Sequence, residues 1–207
     1  METVTRHTDY EYDAKTGYML SGRAVYHKAD GTQTPDYEIF NEYDDKDRRT
    51  SYIYKRYRDG DLFSEEQTYT RYGDDNEIVQ IAVKEIDYDW DTEIVTTTDY
   101  QGEKKIKKTL EKRGPGYAED PRPWRSVDIE VYDEDGRVVI CDSYSYKGNT
   151  AEAIDELVRE EHERYDYTEG NGWEHTLQIK LYENGRLTSD CFKTYDEQRR
   201  IDYEMTQ

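Results

Sequence analysis

Aliphatic residues are scarce in this chain: Leu, Ile, Val and Phe together make up 32 of its 207 residues, about 15%. With a formal net charge of −20, that scarcity is the composition of chains that cannot bury enough apolar surface to fold. No run approaches the roughly 20 consecutive apolar residues that a membrane-spanning helix needs. The N-terminal METVTRHTDYEYD has no apolar leader segment, which points to a cytoplasmic protein without a membrane partner. Cysteine is limited to two residues, so at most one disulfide could form within the chain. The four histidines, His7, His27, His162 and His175, are dispersed and never take the HExxH spacing of a metal site.

What is present reverses the first impression. The chain holds 22 Tyr and 3 Trp. Such side chains can each bury on the order of 150–250 Å² while handing a hydroxyl or N–H to a polar partner. Tyr, Thr and Val also favour strands. An ordered, tyrosine-rich sheet is therefore expected rather than disorder. The 49 acidic residues against 29 basic ones would repel duplex nucleic acid and anionic membranes from most of the surface.

Short turn signals recur. YDEDGR spans Tyr132 to Arg137 and YENGRL spans Tyr182 to Leu187; related copies begin at Tyr12, Tyr26, Tyr43, Tyr57, Tyr72, Tyr100 and Tyr195. Asp-Gly and Asn-Gly between β-rich runs are strong hairpin signals, because a type I′ turn needs φ > 0 at both central residues. The nearest copies lie about 14 residues apart, which leaves 9–10 for a strand and predicts an antiparallel meander of about ten or more strands. Val127, Ile129 and Val131 alternate with Asp128 and Glu130, as a strand requires. Cys141 and Cys191 each sit nine residues after the Tyr of a turn, so matching strand positions and a reduced, structural pair are expected, with a disulfide or redox role as the alternative.

Two segments break the rhythm. RGPGYAEDPRPWRS, residues 113–126, holds three of the prolines and reads as a loop within a single β domain, or between two lobes spanning 1–112 and 127–207. NTAEAIDELVREEHER opens with a capping signal, Asn149 followed by Glu152, and places Ala151, Ile154, Leu157 and Val158 on one helical face. One helix is predicted there, at about 150–163. The fold class expected is all-β with one helix, its sheet open or curled.

YDEDGR and the Tyr10 to Asp13 segment resemble the YD repeats of rearrangement-hotspot (RHS) proteins, and YENGRL is similar to MORN-like repeats of some bacterial antitoxins. Arg48 and Arg199 lack the preceding Gly, and Tyr72 is followed by Gly73 rather than Asp. The resemblance implies an open or curled repeat sheet used for binding, and it carries over no catalytic residue.

No nucleophile elbow, P-loop or EF-hand spacing is present, so no enzyme, cofactor or metal is expected. Glu160 to Glu163, EEHE, reads as a solvated helical face; as a metal site it would need a further ligand such as His175. EKKIKKTLEKR, residues 103–113, is locally basic and reads either as Lys-protected strand edge or as a contact for an acidic partner, including a second copy. Tyr52, Tyr54, Tyr57, Trp90 and Trp173 could stack on sugar rings, which gives an alternative reading as a carbohydrate- or surface-binding module; cross-strand ladders are the structural explanation for the same residues. The leading reading is a non-enzymatic acidic binder, an inhibitor or immunity/antitoxin-type protein that masks a basic, nucleic-acid-handling partner by imitating nucleic-acid charge. Its candidate contacts pair turn carboxylates with aromatics: Tyr43, Asp44, Asp45, Asp47, Tyr72, Asp74 and Asp75.

Overall fold

The computed structural model describes residues 5–113, 123–150, 153–166, 174–195 and 201–206, all of them in strands or their connections. Hydrogen-bonded neighbours follow chain order from the first strand to the fourteenth, an antiparallel meander. Strands begin at Thr5, Met19 and Gln33, two successive intervals of 14 residues.

The chain divides into two compact units, Met1–Val95 with Arg113–Glu119, and Thr96–Lys112 with Asp120–Gln207. The first contains β1 (Thr5–Tyr12), β2 (Met19–His27), β3 (Gln33–Tyr43), β4 (Arg49–Arg58), β5 (Asp61–Tyr72), β6 (Ile78–Asp87) and the start of β7 (Thr92–Gln101). The second holds the rest of β7 with β8 (Lys104–Arg113), β9 (Trp124–Tyr132), β10 (Val138–Thr150), β11 (Ala153–Asp166), β12 (Glu174–Glu183), β13 (Arg186–Tyr195) and β14 (Ile201–Thr206). The loop expected at 113–126 lies, for residues 114–122, outside the described residues.

Within each unit, substantial packing links consecutive strands, and among the described residues no second layer covers the sheet. Among the described residues Ala24 is the one fully buried hydrophobic side chain. Most others are half-buried, shielded by cross-strand neighbours rather than by a core. Tyrosine suits this surface, since its ring packs sideways while its hydroxyl stays hydrated or bonded. Tyr52 and Tyr54 stack at 6.4 Å with Tyr37 at 6.0 Å from Tyr54, and the Arg49 guanidinium lies 5.1 Å from the Tyr52 ring. These aromatics form a ladder along one face, while Tyr57, on the opposite face with Glu38, donates to it at 2.7 Å. Trp90 is 58% exposed in the β6–β7 turn, and Trp173 lies outside the described residues.

The helix expected at about 150–163 is a strand. β11 pairs with β10 on one side and β12 on the other, and its side chains alternate between faces. Glu160, His162 and Arg164 point one way, where Asp142 meets His162 at 2.9 Å and Arg164 at 2.6 Å. Glu161 and Glu163 point the other way. A helix here would leave one edge each of β10 and β12 without a ladder partner, so tertiary context overrides the helical propensity of a Glu- and Arg-rich text. The side chains of Asn149 and Glu152, the expected cap, lie outside the described residues.

The register corrects one further expectation, and the two thiols are reduced as expected. β8 is an interior strand, so its lysines do not protect an edge; Lys105 bonds Glu130 at 2.6 Å and Lys107 lies opposite Asp128. Cys141 on β10 and Cys191 on β13 share a face but have β11 and β12 between them. At about 4.8 Å per strand they are more than about 14 Å apart, beyond the ~7 Å limit for a disulfide, and neither thiol is in one.

Candidate functional site

In a meander, alternate turns emerge at the same end of the sheet. The β1–β2, β3–β4 and β5–β6 turns therefore form a row at one end of the first unit, spaced by about two strand widths, roughly 10 Å. The β3–β4 turn closes with Asp44 N–H donating to Arg48 O at 3.0 Å and Asp47 N–H donating to Asp44 O at 3.1 Å. The β9–β10 turn repeats this geometry through Asp133, Gly136 and Arg137, with both bonds at 2.9 Å. Its fourth residue needs a positive φ, which Gly136 adopts at 75° and Asp47 at 61°. In the β5–β6 turn Asn76 takes that role at 65°, and Gly73 stands where the others have Asp. The copies that lack a Gly before the Arg or Glu thus keep the turn, because Asp and Asn tolerate the left-handed region.

The side chains lock neighbouring turns together. Arg48 donates to Asp44 Oδ2 at 2.7 Å through Nε, and its Nη1 crosses to Asn76 Oδ1 at 2.9 Å and to Gly73 O at 3.5 Å. Its guanidinium also lies 4.5 Å from the centre of the Tyr72 ring. Tyr43 stacks on Tyr18 at 5.0 Å, tying in the β1–β2 turn, and its hydroxyl donates to Met19 O at 3.3 Å. The Arg48 side chain, helped by the backbone N–H groups of Arg48 and Lys46, holds the Asp44 carboxyl below the usual carboxylate range.

The seven sequence-selected residues therefore gather at one end of one unit, on two adjacent turns, but they divide by role. Asp44 is consumed in its own turn. Tyr43 and Tyr72 are packing surfaces, one under Tyr18 and the other under Arg48. Asp45, Asp47, Asp74 and Asp75 are exposed, and among the described residues no hydrogen bond or ion pair engages their side chains. These four carboxylates are the bare part of the site. Arg48 was missed because the text marks it only as a copy lacking its Gly; the signal was the Asp-to-Arg spacing shared with Asp133 and Arg137.

The EEHE segment does not assemble as a unit. His162 faces Asp142 and Glu160, whereas His175 sits on the opposite face against Glu163 at 2.9 Å, stacked between Tyr165 at 4.5 Å and Tyr195 at 5.0 Å. The two histidines cannot share one ligand. Burial, and then the nearby charges of Glu163, Glu130 and Asp128, push the Cys141 thiol up, away from the thiolate form.

No protein-family model matches the chain, and no curated protein matches it at a significant level.

Proposed function

We propose that the chain is a non-enzymatic acidic binding protein of the inhibitor or immunity/antitoxin type, which uses the turn row of the first unit to hold and mask a basic protein. One observation supports this reading above the others: Asp45, Asp47, Asp74 and Asp75 are bare and exposed on neighbouring turns cross-braced by Arg48. Charges held at fixed spacing on a braced scaffold offer a positive groove a pre-ordered set of partners. A surface of net −20 speeds the encounter with a cationic partner and repels nucleic acid itself. The resemblance of YENGRL to antitoxin repeats adds to the reading, as does a chain built on a Tyr-Asp hairpin unit of about 14 residues.

The test is capture from the source lysate on immobilised protein at low and then moderate salt, followed by assay of what elutes. The reading requires a stoichiometric basic protein whose own activity falls when it is bound. Replacing Asp45, Asp74 and Asp75 by Lys and Asp47 by Asn should weaken that complex at least tenfold while leaving the fold intact. A partner held equally well by this variant would move the site elsewhere. No basic partner at either salt concentration would end the inhibitor reading.

A further inference from the structure

β1 stands at the end of the strand order, and among the described residues β2 is its one hydrogen-bonded neighbour. Its other backbone edge therefore presents unpaired N–H and C=O groups, which natural proteins commonly shield with Pro, bulges, Lys or a covering element. β1 reads TRHTDYEY, without Pro or Lys, and its pairing is regular from Thr5 to Glu11.

The long side chains of β1 also fold away from that edge, back over the sheet. Arg6 reaches past β2 to Asp36 on β3 at 2.7 Å, and its guanidinium lies 5.3 Å from the Tyr37 ring. Tyr10 lies across Gly22 to meet the Tyr37 hydroxyl at 3.1 Å. Glu11 accepts from Ser21 at 3.2 Å, and Asp9 lies 3.5 Å from Arg23. Among the described residues nothing pairs with that edge over the eight residues of β1.

We propose that this edge pairs with the same strand of a second copy, forming an antiparallel two-fold dimer through β1. The strand is complementary to itself. In the register centred on Thr8, His7 faces Asp9 of the second copy, Arg6 faces Tyr10, and Thr5 faces Glu11. The His7 and Asp9 side chains, 2.8 Å apart within one strand, would become an alternating set of four across the axis. A two-fold axis repeats each favourable pair twice, and it closes the assembly so that no open edge propagates from β1. The basic β8 is a poorer surface for self-association, because it is interior and two of its lysines, Lys105 and Lys107, lie opposite β9 carboxylates.

Each copy carries −20, so repulsion opposes this contact and salt should strengthen it. The acidic-turn reading predicts the opposite salt dependence for a basic partner, which separates failure of one from failure of the other. Sedimentation equilibrium of the full chain from low to about 0.5 M salt, where the Debye length has shortened to about 4 Å, should show a monomer–dimer equilibrium shifting toward dimer. A Thr8→Cys variant with both native cysteines changed to Ser should cross-link to itself under mild oxidation, because residues opposite on a two-fold pair have Cβ atoms about 4.5–5.5 Å apart. A Thr16→Cys control in the β1–β2 turn should not cross-link. His7→Asp should reduce dimer at least fivefold by setting Asp opposite Asp, and adding Asp9→His should restore it. A chain that stays monomeric at every salt concentration, or cross-links equally from the control position, overturns the proposal.

Discussion

At the residue scale, the sheet's stability rests on how individual side chains fill a surface that has no second layer behind it among the described residues. Gly22 is an example: a Cβ there would lie 2.8 Å from Tyr10 Cδ1 and 3.0 Å from Cε1. Gly22→Ala should therefore push the Tyr10 ring aside and break its contact with the Tyr37 hydroxyl. Because the ring is half-exposed and can swing, the expected loss is at the low end of overpacking costs, about 1 kcal/mol by urea denaturation. In a Tyr10→Ala background the same substitution should be neutral or stabilising. Asn41 makes the opposite case. It is 7% exposed, and among the described residues neither side-chain polar atom has a hydrogen-bond partner, a burial that costs on the order of 1–3 kcal/mol. Asn41→Val, which removes the orphaned amide and suits a strand, should raise stability by about 1 kcal/mol. Destabilisation by Asn41→Val would show that the amide is satisfied in solution.

At the element scale, strands and turns were legible in the sequence and the one proposed helix was not. Period-two alternation at Val127 to Val131 and the Asp-Gly and Asn-Gly signals located strands because both are local properties of the chain. Asp59-Gly60 and Asn184-Gly185 do adopt positive φ at both positions, as a type I′ turn demands. The text from Ala153 to Asp166 misled because its charges suit a solvated helix equally well. Its strand identity depends on β10 and β12, whose pairing no local pattern reveals. The candidate site was legible as a list of turn residues but not as a pair of braced turns, because Arg48 reaches a residue 28 positions away. A pair of substitutions tests β11 directly. Glu161 pairs with Ser143 and Ile179, so Glu161→Val should be more stable than Glu161→Ala by up to about 1 kcal/mol, the span of β propensities. In a helix the order would reverse, since Ala is the better helix former by about 0.5 kcal/mol. Chemical denaturation of the two variants decides between these outcomes.

At the scale of the whole molecule, charge acts in two opposing ways, and pH separates them. The −20 surface repels itself, and that cost falls both with added salt and as carboxylates protonate. The turn aspartates act in the other direction. Asp13, Asp30, Asp44 and Asp133 are all held below the ordinary carboxyl value: Asp13 chiefly by the Thr16 N–H, Asp30 by that of Thr32, Asp44 by the Arg48 side chain and Asp133 by the Arg137 N–H. With the folded value depressed, the unfolded chain binds protons first as pH falls. Their stabilisation is therefore complete above the ordinary Asp value of about 3.9 and is lost as pH drops through the folded values. Tyr57 closes the window from the other side. Burial, and then its hydrogen bond to Glu38, raise its phenol to about 12, so its contribution is intact below about pH 10, the ordinary tyrosine value, and disappears as pH rises through the folded value. In about 1 M salt, where the Debye length is only about 3 Å, self-repulsion is largely removed and the turn and phenol contributions remain. The urea midpoint there should be level between about pH 5 and pH 9 and fall on both sides. An Asp44→Asn/Asp133→Asn double variant should start lower at pH 7 and converge on the wild type in acid, since the groups it lacks are protonated there in any case. If the two proteins stay equally far apart at pH 2, the turn carboxylates stabilise through their shape rather than their charge. The Arg48 and Arg137 pairings would then be incidental to the fold.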